Sequence, residues 1–162
     1  MSLDIVIRPE RADHPQVVVA LAALDDYLRA LYPPEANHIL STEELLAPDV
    51  SFFAAWQGDR VIGTGAVRHM AGEPGTGAKA YGEVKRMYVD PSVRGRRIGA
   101  RMVEALEAAM RARGLTLALL ETGRDQHQAV RLYERCGYQR RGPFGGYPDN
   151  GLSLFLAKVL AA

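Results

Sequence analysis

The sequence predicts a mixed α/β fold with the element order βααβββαβαββ. Three observations carry this expectation. Short runs alternate apolar and polar residues, which is the pattern of half-buried strands. Between them lie stretches with an apolar stripe at helical spacing. Proline and glycine punctuate nearly every boundary, so each run has a defined end.

Taken in order, Leu3 to Arg8 alternates and stops at Pro9, as a short strand does. Asp13 offers an N-cap to a helix from His14 to Leu31, which must end before Pro33-Pro34 for want of backbone donors. Ser41-Thr42-Glu43-Glu44 supplies capping-box chemistry for a second, short helix ending near Pro48. Val50 to Trp56 and Arg60 to His69, joined by Gln57-Gly58-Asp59, read as a hairpin. The glycine-rich turn Ala71 to Gly77 leads into a third strand, Ala80 to Val89, closed by Pro91.

A helix from about Arg97 to Arg113 then puts Ile98, Met102, Val103, Leu106 and Met110 on one face, with Gly114 as its stop. Leu115 to Glu121 is largely apolar until its last residue, which suits a central strand covered on both faces. The helix Gln126 to Cys136 turns Ala129, Val130, Leu132, Tyr133 and Cys136 inward and ends at Gly137. Tyr138 to Arg141 and Leu152 to Lys158 close the fold around an irregular loop, Gly142 to Gly151. With no internal repeat or linker, residues 1–162 are expected to form one domain with a substantial core. The strand–helix–strand unit at 80 to 121 creates a crevice at strand carboxyl ends, where open α/β sheets bind ligands.

Composition narrows the chemistry. Hydrophobic residues make up 48% and charged residues 24%, an ordinary globular balance. A formal charge of +1 gives no wholesale attraction to nucleic acid or membrane, so neither is an expected partner. Cys136 stands alone, and His14, His38, His69 and His127 are scattered, so neither a disulfide nor a metal is expected. The start, MSLDIVIRPE, lacks the arrangement of a secretion signal, and the longest apolar run, Val17 to Leu24, is far short of the ~20 residues that span a bilayer. A cytoplasmic setting is the resulting expectation.

The most informative segment is Arg94-Gly95-Arg96-Arg97-Ile98-Gly99-Ala100-Arg101, which gathers four arginines at a helix start. The positive end of the helix dipole lies there, so each is unfavourable by roughly several tenths of a kcal/mol. A bound anion reverses that sign, because free first-turn N–H groups grip a pyrophosphate and glycines let it approach. By itself the run reads equally well as a solvated basic face. It is neither the phosphate loop with Gly-Lys-Ser/Thr nor the dinucleotide pattern GxGxxG.

Met87-Tyr88-Val89-Asp90-Pro91 followed by Arg94 to Ala100 closely resembles the acetyl-CoA motif of the GNAT N-acetyltransferase superfamily. That motif is Arg or Gln, two variable residues, Gly, one variable residue, then Gly or Ala. Arg94 and Gly99 fit, while Arg97 stands where the first glycine is usual. Ala129 to Tyr138 resembles the second helix motif of the same family, and the likeness, to a small bacterial-type member, is strongest from Glu83 to Tyr138.

The resemblance implies a mostly antiparallel central sheet flanked by helices, and transfer of acetyl from acetyl-CoA to a primary amine of a small molecule by direct attack in a ternary complex. Acetyl-CoA would then be held by Met87, Tyr88, Val89, Arg94, Gly95, Arg96, Arg97, Ile98, Gly99, Ala100, Gln126 and Tyr133. Backbone groups of Met87 and Val89 would take the pantetheine arm as an added strand, and the Val89 N–H would face the oxyanion. Tyr133 matches the tyrosine that protonates the leaving thiolate, against a plain reading as a core aromatic.

Glu83, six residues before Val89, stands where some relatives carry the general base. On an extended strand it would share a face with Lys85, Met87 and Val89. A salt bridge to Lys85 or Arg86 is its alternative, and Glu121 is a second candidate base. For the acceptor, the resemblance points to Tyr27, Tyr32, His38, Phe144 and Tyr147, with Asp25, Asp26 and Arg68 nearby. It also implies a homodimer through the late strands. Acetylation of a peptide or protein, or non-catalytic acyl-CoA binding, are the competing readings; the presence of both Tyr133 and Glu83 argues against the second.

Overall fold

The computed structural model describes residues 4–161. Its elements follow the expected order: β1 (Ile5–Pro9), α1 (Pro15–Leu31), α2 (Thr42–Leu45), β2 (Val50–Gln57), β3 (Arg60–Met70), β4 (Tyr81–Val89), α3 (Ile98–Ala112), β5 (Leu117–Gly123), α4 (His127–Arg135), β6 (Gln139–Arg141) and β7 (Ser153–Val159). The strands form one sheet in the order β1-β2-β3-β4-β5-β7-β6. Among the described residues only β4 and β5 pair in parallel; every other neighbouring pair is antiparallel.

Local chemistry sets the boundaries. Ser41 and Glu44 complete the expected reciprocal cap, the Ser41 hydroxyl accepting from the Glu44 N–H at 3.2 Å and Glu44 accepting from the Ser41 N–H at 3.1 Å. Asp13 does not cap α1. Arg11 takes both Asp13 carboxylate oxygens at 2.9 Å, and the helix is capped by His14, whose Nδ1 accepts from the Gln16 N–H at 3.2 Å. Tyr32 ends α1 one residue before the prolines. The first strand runs through Pro9 rather than stopping before it, which an edge strand tolerates. Leu3, expected at its start, lies outside the described residues.

Two layers of helix cover the sheet. The five apolar residues expected on α3 are all buried, packed with Ile62, Val67, Val84, Tyr133 and Tyr138. On the other face Val17, Ala20 and Leu21 of α1 meet Phe52, Ala54, Trp56 and Ala66. A smaller aromatic cluster, Tyr81, Phe144 and Phe155 with Leu119, anchors the β6–β7 loop.

The centre of the sheet is irregular. Thr64 pairs with Tyr88 and Ala66 with Lys85, so Gly65 alone opposes both Arg86 and Met87. This is a bulge in β4, and Arg86 occupies the left-handed region at φ 55°. The Thr64 hydroxyl donates to the Arg86 carbonyl at 2.8 Å, and the Arg86 guanidinium donates to Asp25 of α1 at 2.6 Å. A Cβ on Gly65 would stand 2.6 Å from Met102 Cγ, so α3 packs directly against the backbone opposite the bulge.

The extra residue resets the alternation of β4. Glu83, Lys85 and Tyr88 share the face that α1 covers, whereas Val84, Met87 and Val89 join the α3 face. Glu83 therefore does not share a face with Met87 and Val89, because the regular strand that expectation assumed is interrupted at Arg86. The β4–β5 ladder also ends at Val84 and Leu120, so residues 85–89 have no strand partner on the β5 side.

The Arg86 side chain is 6% exposed and that of Asp25 22%. Removing Asp25 strands a buried guanidinium, so Asp25→Ala is expected to lower the unfolding free energy by about 3 kcal/mol in urea denaturation. A loss below about 1 kcal/mol would show that the bulge holds without its anchor.

Candidate active site

Where β4 and β5 part, a cleft of about 1470 Å³ opens between the end of α1, the start of α3, and α4 with its preceding loop. Its lining falls into three main groups: the unpaired edge of β4, the start of α3, and α4 with its preceding loop.

Met87, Tyr88 and Val89 line the cleft along the edge that β5 leaves open. Arg94, Gly95, Arg97, Ile98, Gly99 and Ala100 line it at the start of α3, while the exposed Arg96 does not. Arg97 is the N-cap of α3 at φ 58°, ψ 24°, and no side chain caps the helix there. The first-turn N–H groups thus lack a side-chain acceptor, and the left-handed backbone explains why glycine suits this motif position. Arg94 reaches over to Gln128 of α4 at 3.3 Å. A Cβ on Gly99 would stand 2.8 Å from Leu132 Cδ2, so this glycine sets how closely α3 and α4 approach. Gln126 is the N-cap residue of α4 and also lines the cleft.

Tyr133 projects from α4 into the same cleft and is only 5% exposed. Burial pushes its phenol well above the usual range. Its ring meets Tyr138 edge-on at 6.0 Å. Tyr138 in turn donates to Glu107 at 3.0 Å, and Lys158 donates to both oxygens of Glu107 at 3.0 and 3.1 Å. Sequence reasoning missed this buried carboxylate. Its signal was position: Glu107 lies one turn beyond Val103 and three residues before Met110, within the apolar stripe of α3.

In a smaller pocket beside the cleft the Tyr147 hydroxyl donates to Glu83. Lys85 donates to the Tyr147 oxygen at 2.7 Å and to the His38 carbonyl at 3.1 Å, and lies 3.5 Å from Glu83. The His38 ring packs edge-on against Tyr147 at 4.8 Å. Glu83 is thus paired with Lys85, as its alternative reading had it, while Arg86 turns to Asp25. Glu121 is held differently. It lines the main cleft, burial raises its carboxyl above the ordinary carboxylate range, and Ser153 donates to it at 2.7 Å.

The remaining acceptor candidates divide. The Tyr32 hydroxyl accepts from the Asp125 N–H at 3.0 Å, and a Cβ on Gly123 would stand 2.0 Å from it, so only glycine fits there. Tyr27 is half-exposed at the rim. Phe144 is 3% exposed inside the aromatic cluster, Asp25 is used by Arg86, and Asp26 pairs with Arg29 in solvent. Arg68, 3.4 Å from Asp49, lines a second pocket of about 400 Å³ together with Glu83 and Tyr147.

Comparison with known proteins agrees with this geometry. A family model described as "Acetyltransferase (GNAT) family" matches residues 20–138. An IAA acetyltransferase of Azospirillum brasilense is 43% identical over 157 residues, covering 97% of this chain and 99% of that protein. A solved Klebsiella pneumoniae structure, described as an acyl-CoA N-acyltransferase, superposes with a TM-score of 0.79 at 33% identity, covering 97% of this chain and 98% of the other. The PaiA N-acetyltransferase of Thermoplasma acidophilum, solved with coenzyme A, gives 0.73 at 19% identity over 97% and 99%, a likeness of fold.

The left-handed backbone at Arg97 costs roughly 1–2 kcal/mol for a residue with a Cβ, part of which glycine returns through its larger unfolded-state entropy. Arg97→Gly is therefore expected to raise stability by up to about 1 kcal/mol, read as a higher thermal midpoint. A lower midpoint would show that the guanidinium itself holds the turn.

Proposed function

The chain belongs to the GNAT acetyltransferase family, and from that premise we propose that it acts as one domain, residues 1–162, moving acetyl from acetyl-CoA to a primary amine of a small molecule. The observation that carries this reading is the parting of β4 from β5 at the Arg86 bulge, with Tyr133 and Glu121 both lining the resulting cleft.

In this reading the open edge of residues 85–89 takes the pantetheine arm as an added strand, through Met87 and Val89 backbone groups. The pyrophosphate sits at the start of α3, where first-turn N–H groups, Arg94 and Arg97 face the cleft. The amine, having lost its ammonium proton to solvent, attacks the thioester carbonyl through its free lone pair. The Val89 N–H stabilises the oxyanion, a contribution of about 3 kcal/mol where single such donors have been removed. As the C–S bond breaks, the amine proton passes to Glu121 and the thiolate takes the Tyr133 proton. An ordinary phenol and thiol differ by about 1.5 pKa units, so this last transfer is modestly uphill. The burial that raises the Tyr133 phenol raises the proton affinity of a thiolate in the same cleft as well, so the gap does not widen in proportion.

Glu121 is favoured over Glu83 as the base. Glu83 already accepts from Tyr147, is paired with Lys85 and does not line the main cleft, so it is engaged away from the reacting centre. Glu121 carries one Ser153 hydrogen bond and a raised proton affinity, closer to what base catalysis near neutral pH requires. A small acceptor is supported by the β6–β7 loop, which Phe144 and Tyr147 fasten across this side. The name of the Azospirillum relative, IAA acetyltransferase, points the same way.

Release of free CoA from acetyl-CoA, assayed with a panel of small amines and with peptides, tests the reading; turnover confined to peptides would refute the small-molecule acceptor. Tyr133→Phe is expected to lower kcat by about 100-fold while acetyl-CoA affinity stays within about twofold. Equal turnover would remove Tyr133 from the mechanism. Because Glu121 must be ionised to accept a proton, kcat/KM should fall as pH drops through its raised pKa, above the ordinary carboxylate range. Glu121→Gln should abolish that acidic limb; its survival would assign the limb to another group.

A further inference from the structure

The acceptor side has two compartments. The 400 Å³ pocket shares Asn37, His38, Ile39 and Lys85 with the main cleft, so the two adjoin across these residues, with Glu83 and Tyr147 on the wall of the smaller one. Leu40 and Met70 give it an apolar wall.

Its charges are unequally satisfied. Glu83 is answered by the Tyr147 hydroxyl and by Lys85, and Lys85 spends its remaining donors on Tyr147 and the His38 carbonyl. Arg68 makes one long contact, from Nε to Asp49 at 3.4 Å. Among the described residues neither of its two Nη groups has a partner, although its side chain is only 36% exposed. A guanidinium with its fork free, facing a pocket with an apolar wall, is matched by a carboxylate.

Register places this fork relative to the base. Arg68 is opposite Glu83, Glu83 is opposite Leu119, and Glu121 lies two residues further along β5 on the same face. Two interstrand steps of about 4.8 Å and two residues of about 3.3 Å each put the Arg68 and Glu121 α-carbons at least about 12 Å apart, since Glu121 lies one residue past the end of the β4–β5 ladder. With both side chains rising from the same face of the sheet, a separation of this order suits a short methylene chain with a hydrogen-bonded contact at each end rather than the single carbon of an α-amino acid.

Resting on the acetyl-transfer reading above, we propose that the smaller pocket is a carboxylate subsite, and that the acceptor is an amino acid whose amine and carboxylate are separated by a short apolar chain. Arg68 is its specificity-determining residue. The amine end lies at Glu121 and the carboxylate takes the Arg68 fork.

The test compares δ-aminovalerate with pentylamine, which differ in the distal carboxylate, by calorimetric binding to the full chain and by CoA release in parallel. The wild type is expected to bind δ-aminovalerate about tenfold more tightly, the yield of one charge-assisted contact. Arg68→Gln should cut that preference to below about twofold, and Arg68→Lys should restore part of it, with thermal unfolding confirming that both variants fold. Equal binding of the two amines, no binding of either, or an unchanged preference in Arg68→Gln overturns the subsite. Carboxylate-dependent binding without CoA release upholds the subsite and refutes acetyl transfer. Equal CoA release from both amines does the reverse.

Discussion

The site depends on one buried interaction, the Arg86 guanidinium held by Asp25 at 2.6 Å while Thr64 fixes the Arg86 carbonyl. A parallel pair in a central sheet would ordinarily continue as long as both strands last, because each unpaired N–H or carbonyl costs free energy when buried. Here β4 runs on to Val89, and β5 runs to Gly123, yet their ladder stops at Val84 and Leu120. The bulge supplies the reason. It turns the backbone of β4 at Arg86, and α1 anchors the turned residue from one side while α3 packs on Gly65 from the other. The unpaired edge is then available to a ligand that can itself supply strand-like hydrogen bonds.

The two carboxylates stand on the same face of adjacent strands and are held differently. Glu83 and Lys85, just before the bulge, have Tyr147 closing over both. Glu121 comes from the partner strand and lines the cleft, accepting a hydrogen bond from Ser153. Two acidic residues of adjacent strands thus differ in what they can do because of their neighbours. One is paired with Lys85 and holds a loop in place, and the other faces the cleft with its proton affinity raised by burial.

Much of the fold was legible because it rests on local patterns. The α3 stripe from Ile98 to Met110 and the Ser41–Glu44 cap depend on residues within a few positions of each other, and both form as read. The bulge was not legible, because Thr64 and Asp25, which hold it, lie 22 and 61 residues from Arg86 and no alternation of β4 alone reveals them. Asp13 failed as a cap for a local reason: Arg11, two residues back, takes both of its carboxylate oxygens. In the site, the motif identified the start of α3, but Arg96 turns to solvent while Arg94 and Arg97 face the cleft. Charge type is written in a run of arginines; direction is set by the left-handed turn at Arg97.

That turn and the bulge form a pair. Arg86 and Arg97 are both non-glycine residues with positive φ, and they flank the open edge of β4 and its exit toward α3. Each conformation costs roughly 1–2 kcal/mol, so each persists only where its surroundings over-determine it. Arg86 has such surroundings in Thr64 and Asp25. Arg97 is exposed, and no side chain caps its helix. In the proposed reading a bound pyrophosphate would take that role: its oxygens would satisfy the first-turn N–H groups and offset the charge of Arg94 and Arg97 together. The strain at Arg86 is thus carried by the fold, whereas in that reading the charge gathered at Arg97 would be offset by the ligand.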